Sequence, residues 1–171
     1  MTTTFYATLP SPVGDLLLTA SSAGLTGVYL PGERRRPEPD WELDPARFAD
    51  CTQQLGEYFD GERVTFSLPL APPGTPFQQQ VWNELVHIRY GTTLTYTELA
   101  RRVGRPRSIR AVGGANARNP VCIIVPCHRV VGASGALTGY SAGIDAKRWL
   151  LDFERASATP MNAPSSAVEV R

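Results

Sequence analysis

The chain has 171 residues and a net charge of +1, with 42% hydrophobic and 19% charged residues, which fits one ordinary domain or two small ones and excludes wholesale disorder. Its 15 glycines and 15 prolines, about 18% of the chain against a usual share of about 12%, indicate many turns without the period of a fibrous protein. No apolar run approaches the roughly 20 residues of a membrane span; the N-terminus lacks a secretory signal, and three cysteines without a CxxC pair point to a reducing, cytoplasmic setting.

In chain order, the first segment reads as strands joined by turns. FYATLPSP from Phe5, Asp15 to Ala20 and Leu25 to Leu30 are short apolar or β-branched runs punctuated by Pro12, Gly14, Gly24 and Pro31. PGERRRPEPD is a charged, proline-rich loop. Phe48, Leu55, Tyr58 and Phe59 recur at helical spacing over residues 45–59, with Asp44 as N-cap. Val64 to Leu68 is read as a further strand, and the breakers from Ala71 to Pro76 as an interdomain linker. Residues 1–70 thus form a small α/β domain without a catalytic constellation, and a structural role is its default reading.

The pattern then turns helical. Thr75 and Pro76 are an N-cap and first helical residue ahead of the stripe Phe77, Val81, Leu85 and Ile88, with Gly91 as the stop. Thr95 to Gly104 is a short helix, and a second begins after Arg107 with Ser108 as cap, giving a helix-turn-helix about a three-residue turn. A final helix spans Asp145 to Arg155. The domain runs over residues 77–155, and the Ser/Ala/Pro-rich stretch 156–171 is read as a flexible tail.

Between Glu98 and Asp145 there is no acidic residue, whereas Arg101, Arg102, Arg105, Arg107, Arg110, Arg118 and Arg129 all fall there. Arginine without lysine suits bidentate contact with phosphate; a solvated basic face is the bland alternative. The second helix offers Ala111, Gly113, Gly114, Ala115 and Ala117, too short to read base edges but compatible with close approach to a narrow groove, with Arg110 as the one long probe. Simple packing against another helix is the competing reading.

The most informative segment is NPVCIIVPCHRVVGASG, from Asn119 to Gly135. VCIIV reads as a strand-like run delivering Pro126, Cys127, His128 and Arg129 onto a turn. An adjacent imidazole and guanidinium favour thiolate, the nucleophilic form of Cys127. Glu154 on the last helix is the candidate partner that orients His128. Cys51, Cys122 and His87 read as packing or surface residues, and no spacing resembles a zinc site.

PCHRVVGASG, preceded by NPV and RAVGGAN, resembles the methylated-DNA–protein-cysteine alkyltransferases, which repair O6-alkylguanine. The resemblance extends over the FQQQVWNEL helix, the helix-turn-helix, the TGY loop and the KRWLLDFE helix. It implies an α+β fold, with a small ribonuclease H-like N-terminal domain followed by a mainly helical winged helix-turn-helix domain. It also implies the roles of individual residues. Cys127 would accept the alkyl group, with His128 as its base through a bridging water and Glu154 orienting the imidazole. Asn119 would tie the helix-turn-helix to the active-site turn, and Tyr96 would press on the target phosphate. Arg110 would fill the gap left by the flipped base, and Tyr96, Thr97, Ala111, Gly114 and Ser134 would contact DNA. Val130, Tyr140, Ser141 and Asn116 would wall the pocket. The implied partner is duplex DNA carrying O6-alkylguanine, with O4-alkylthymine a second candidate lesion, bound by a monomer with cooperativity left open. No cofactor, metal or membrane is implied. An inserted side chain and an extruded base fit minor-groove docking.

Relatives commonly carry another small or apolar residue where this chain has Cys122. The extended run between Cys122 and Cys127 is expected to hold their sulfurs beyond disulfide reach. Three other readings stand beside the alkyltransferase: a non-enzymatic sensor of damaged DNA, in which tryptophan replaces the nucleophile; a transcription factor, which would need base-reading side chains on its second helix; and a cysteine hydrolase, for which no oxyanion loop is identifiable.

Overall fold

The computed structural model describes residues 2–158. Strands β1 (Phe5–Leu9), β2 (Leu16–Ser21) and β3 (Gly24–Tyr29) form an antiparallel meander. β4 (Glu42–Leu43) adds in parallel beside β1, giving the order β3-β2-β1-β4. Leu16 to Ala20 are all buried, so β2 needs a continuous apolar run rather than alternation, because both its faces are covered. Asp44 accepts a hydrogen bond from Arg47 N at 3.3 Å and caps a 3-10 turn, Pro45–Phe48, that leads into α1 (Ala49–Phe59). That helix buries Cys51, Leu55 and Tyr58, one stripe at helical spacing.

The strand expected at Val64 to Leu68 does not form; only Leu70 bridges to Leu25, through Leu25 N–Pro69 O and Ala71 N–Leu25 O bonds of 2.9 and 2.8 Å. Pro69, Pro72 and Pro73 remove the donors that a longer ladder would need. The expected linker therefore starts as part of the sheet's edge, and its last residue, Pro76, already belongs to α2 (Pro76–Leu85).

Thr75 and Gln78 close a capping box at the head of α2, and Thr95 and Glu98 do the same for α3 (Tyr96–Arg102); each cap stabilises its helix by about 1 kcal/mol. α2 stops at Leu85, not at Gly91. The chain tightens there into turns, with His87 N bonded to Glu84 O and Ile88 N to Leu85 O, and the Ile88 carbonyl is taken by Arg129 Nη1 at 2.6 Å. Helix α4 (Ile109–Ala117) follows α3 after six residues rather than three. Gly104, at φ +72°, and the Arg105 N–Ala100 O bond close α3 first. Ser108 occupies the cap position of α4 without a side-chain cap bond.

β5 (Leu94–Thr95) pairs in parallel with β6 (Val130–Val131), tying the start of α3 to the residues after His128. The last helix, α5 (Ile144–Ser157), runs two residues past the expected end, and residues 159–171 of the expected tail lie outside the described residues. Both halves share one apolar core, in which Trp82 donates to Ala115 O at 2.9 Å between α2 and α4. Tyr58 of α1 packs on Phe153 of α5 with ring centroids 5.6 Å apart. The architecture is α+β.

Candidate active site

The expected strand at VCIIV is a buried turn. Val121 makes one bridge to Val28, through Val28 N–Pro120 O and Cys122 N–Val28 O bonds of 2.8 and 3.1 Å, and the chain then reverses through a Val125 N–Val121 O bond. Ile123 sits at φ +73°, a conformation that costs a β-branched residue on the order of 1–2 kcal/mol. The burial of Val121, Ile123, Ile124 and Val125 offsets that cost. Asn119 fastens the turn from inside, donating through Nδ2 to Val125 O at 2.7 Å and accepting Val121 N at 3.0 Å. Its side chain also hydrogen-bonds the Cys127 thiol.

Cys127 opens a 3-10 turn, Cys127–Arg129, and is 4% exposed. Its carbonyl accepts Val130 N and, at 3.4 Å, Asn116 Nδ2. His128 Nε2 lies 2.7 Å from Glu154 Oε1, so the structure brings this pair together at the centre of the protein. Glu154 also accepts Arg129 Nε at 2.8 Å, Arg129 Nη2 at 2.9 Å, Tyr58 Oη at 2.8 Å and Gly91 N at 3.4 Å. Burial alone would raise the Glu154 carboxyl, but His128 and Arg129 together hold it well below the ordinary carboxylate range. An ionised Glu154 has no proton to give, so Nε2–H of His128 is the donor and Nδ1 carries the lone pair. Burial lowers the His128 pKa and Arg129 opposes a second positive charge, which keeps the imidazole neutral. Nδ1 is buried without a protein partner and is therefore a base.

Arg129 does not face the sulfur as the sequence reading had it; its guanidinium is spent on Glu154 and Ile88 O. The largest influence on Cys127 is a hydrogen bond from Cys122, followed by burial, which opposes ionisation, and by Asn119 and Lys147, which favour it; the Cys127 pKa is lowered on balance. Cys122 is thus not a packing residue. The turn at Ile123 sets its thiol beside Cys127 and 3.4 Å from Glu33 Oε1, which overturns the expected separation of the two sulfurs; both are free thiols. Cys51, by contrast, is buried packing, its thiol pushed up to about 12 by desolvation. Through Glu33 and Tyr58 the first domain, whose default reading is structural, also touches this site.

Opposite this turn, Tyr96 donates from Oη to Thr138 O at 3.0 Å, and the buried Lys147 donates to the same carbonyl at 2.9 Å. Tyr140 directs a buried hydroxyl toward the Cys122–Cys127 pair, and Ser141 hydrogen-bonds Glu33. Asn116 and Val130 thus meet Cys127 at its carbonyl, Tyr140 faces its sulfur, and the exposed Ser141 reaches this cluster only through Glu33; Lys147, Cys122 and Glu33 are further neighbours that the sequence does not single out. A groove of about 590 Å³ between the head of α2 and α4 is bordered by Arg107, Arg110, Arg118, Ala111 and Gly114. Arg110 and Ala111 are exposed, Thr97 is half-buried on α3, and Ser134 is exposed in the turn Gly132 to Gly135. None of these four touches the buried cluster by hydrogen bond.

Two family profiles match this chain: the 6-O-methylguanine DNA methyltransferase ribonuclease-like domain over residues 4–72 and the DNA-binding domain of the same family over residues 76–156. The chain belongs to the 6-O-methylguanine DNA methyltransferase family. It is 48% identical over 152 residues to the methylated-DNA–protein-cysteine methyltransferase of Methanosarcina acetivorans, covering 88% of this chain and 97% of the relative. It is 43% identical to the constitutive enzyme of Bacillus subtilis, covering 90% and 96%. Mycobacterium tuberculosis OGT, solved in complex with DNA, superposes with a TM-score of 0.84 at 45% identity over 91% of this chain and 96% of that one. Family membership gives the two halves their names, a ribonuclease-like domain and a DNA-binding domain. Among the described residues, no helix is long and apolar enough to cross a membrane.

Proposed function

We propose that the protein repairs duplex DNA by moving the alkyl group of a flipped-out O6-alkylguanine onto Cys127. The observation that carries the reading is the Cys127 sulfur itself: desolvated, with a lowered pKa, next to a neutral imidazole whose Nδ1 is buried and unpaired. The thiol proton leaves toward His128 Nδ1, and Glu154 anchors the opposite nitrogen. The Cys127 sulfur forms a bond to the alkyl carbon as the carbon–O6 bond breaks, and that electron pair stays with the purine, which takes up a proton and is released as guanine. The product is a thioether, a bond that the thiols, carboxylates and imidazole around Cys127 do not cleave, so each molecule acts once.

The basic groove suits the rest of the task. Phosphate contacts from Arg107, Arg110 and Arg118 supply affinity that is independent of sequence. The small residues of α4 let its backbone approach the minor groove, with Arg110 entering the stack. Extruding the base costs a few kcal/mol, less at a damaged pair. In this reading Tyr96, Thr97 and Ser134 contact the DNA, and Asn116, Val130, Tyr140 and Ser141 receive the base. Asn119 holds the nucleophile's turn. The division into residues 1–70, 71–76 and 77–155 and a cytoplasmic location belong to the same proposal; three free thiols fit a reducing compartment.

Intact-protein mass after mixing with an equimolar duplex containing one O6-methylguanine tests it. Wild type is expected to gain one methyl group, mapped to Cys127 and saturating at one per chain, and Cys127→Ser none. Tight binding of the lesion duplex without any mass change would make the protein a damage sensor instead.

A further inference from the structure

The cluster behind Cys127 holds two groups that the reaction above does not use. Cys122, fully buried, lies beside the nucleophile on one side and 3.4 Å from Glu33 Oε1 on the other. Glu33 belongs to the ribonuclease-like domain, on the 3-10 turn Pro31–Glu33 that follows β3. Its carboxylate accepts Leu30 N at 3.0 Å and is hydrogen-bonded by Ser141 from the pocket loop. Gly32, next to it, packs so closely on the Ala142 backbone that a side chain there would collide with the Ala142 carbonyl. The placement of Glu33 is therefore rigid, and Cys122 is pinned independently by its backbone bond to Val28 of β3.

A thiol has one proton to donate, and besides the Asn119 carbonyl at 3.9 Å two side-chain acceptors compete for it, Cys127 and Glu33. We propose that Cys122 is a positioning residue for the nucleophile, its S–H shared between the Cys127 sulfur and the Glu33 carboxylate, so that the ribonuclease-like domain sets the reactivity of a cysteine in the other domain. Donation to Cys127 stabilises its thiolate and fixes the direction of its lone pairs. Donation to Glu33 withdraws that support, and the charge of Glu33 opposes a second anion nearby. The other groups facing Cys127 are Lys147 of α5, which favours the thiolate, Tyr140 of the pocket loop and Tyr96 of α3. Tyr140 also hydrogen-bonds Cys122, as the donor, which leaves the Cys122 proton to Cys127, Glu33 and, more weakly, the Asn119 carbonyl.

The inference rests on Cys127 being the acceptor, and its test separates the two claims. The full-length protein is treated with iodoacetamide across a pH series, and carbamidomethylation of the Cys127 peptide is followed by mass spectrometry; methyl transfer from the lesion duplex is followed in parallel. Cys122→Ala is expected to raise the Cys127 inflection by about one pH unit, a roughly tenfold loss of rate below the inflection, with the rates converging at alkaline pH. Cys122→Ser, which keeps a donor, is expected to restore most of that shift. Glu33→Gln is expected to move the inflection the opposite way, downward, by weakening the competing acceptor. Superimposable profiles for all three variants overturn the proposal. So do equal shifts for Cys122→Ala and Cys122→Ser, or a Glu33→Gln shift of the same sign as Cys122→Ala, since each would be a packing effect. Failure of wild type to take up methyl would sink the alkyl-transfer reading and leave the iodoacetamide profile as the judge of the relay.

Discussion

Two glutamates flank the nucleophile's turn, and their surroundings differ in kind. Glu154 is fully buried, paired with Arg129 and saturated by Tyr58, His128 and Gly91, and it is held ionised. Glu33 is half-buried and its nearest partners are neutral: a backbone amide, a thiol and a hydroxyl. Burial raises its pKa. One residue type thus serves as a permanent anion on the histidine side and as a weak, adjustable acceptor on the thiol side. What separates them is a single bidentate guanidinium, not depth alone.

The sharpest way to break the comparison is to remove that guanidinium. Arg129→Met leaves Glu154 and His128 in place but strips the carboxylate of its cation, which for a buried pair costs about 3–5 kcal/mol; urea denaturation measures it. The same change frees Glu154 to hold a proton on His128, because Arg129 is one of the groups keeping that imidazole neutral. Methyl transfer by whatever fraction folds is then expected to fall as pH drops toward 6, more steeply than in wild type. Glu33→Gln should change stability by less than about 1 kcal/mol, because no charged partner is abandoned. Equal costs at the two positions would show that the environments are not energetically distinct.

Why one side was legible and the other was not follows from particular residues. PCHR marks Cys127 and His128 without reference to the fold. On α5, Lys147, Leu150, Leu151 and Glu154 are buried at helical spacing, so Lys147, like Glu154, is a charged residue on an apolar stripe and legible on that ground. Adjacency to His128 in sequence puts Arg129 at the sulfur, whereas the 3-10 turn sends it toward Ile88 and Glu154. Cys122 and Glu33 were hidden by Ile123. A β-branched residue inside VCIIV argues for a strand, and only tertiary burial forces it to positive φ and folds Cys122 back. Gly91 misled similarly, since its positive φ serves a turn beyond the helix end at Leu85.

Acid titration sharpens the comparison at intermediate size. His128 is lowered from 6.5 and Glu154 from 4.5 in the folded protein, so the unfolded chain binds more protons than the native one below those values. Stability is therefore complete above about pH 6.5, declines as His128 is forced to protonate, and declines further below about pH 4.5. Glu33 has the opposite sign: its folded pKa is raised, so it favours the native state in acid and loses that contribution as pH rises through its folded pKa. Denaturant midpoints measured from pH 8 to pH 4 should fall steadily for wild type. In Glu33→Gln they should fall slightly more steeply between pH 6 and pH 4, because a contribution that offset the loss has been removed. A midpoint that rises on acidification would contradict the assignment of Glu154 as the ionised partner.

On the Glu154 side the smallest effect belongs to Tyr58→Phe, which removes one neutral donor from Glu154 while leaving both guanidinium bonds and the His128 contact intact. The ring stays in place, packed on Phe59 and Phe153 at 5.2 and 5.6 Å between centroids, so no cavity opens. A buried hydrogen bond to a charged acceptor is worth about 1.5–3 kcal/mol when both partners need it. Here the carboxylate keeps four other bonds, and the expected loss is nearer 1 kcal/mol. Methyl transfer should remain within about twofold of wild type, since the orientation of His128 depends on Glu154 and Arg129 holds Glu154. A loss of transfer comparable to that of Arg129→Met would mean that the carboxylate is steered by the phenol and not by the guanidinium.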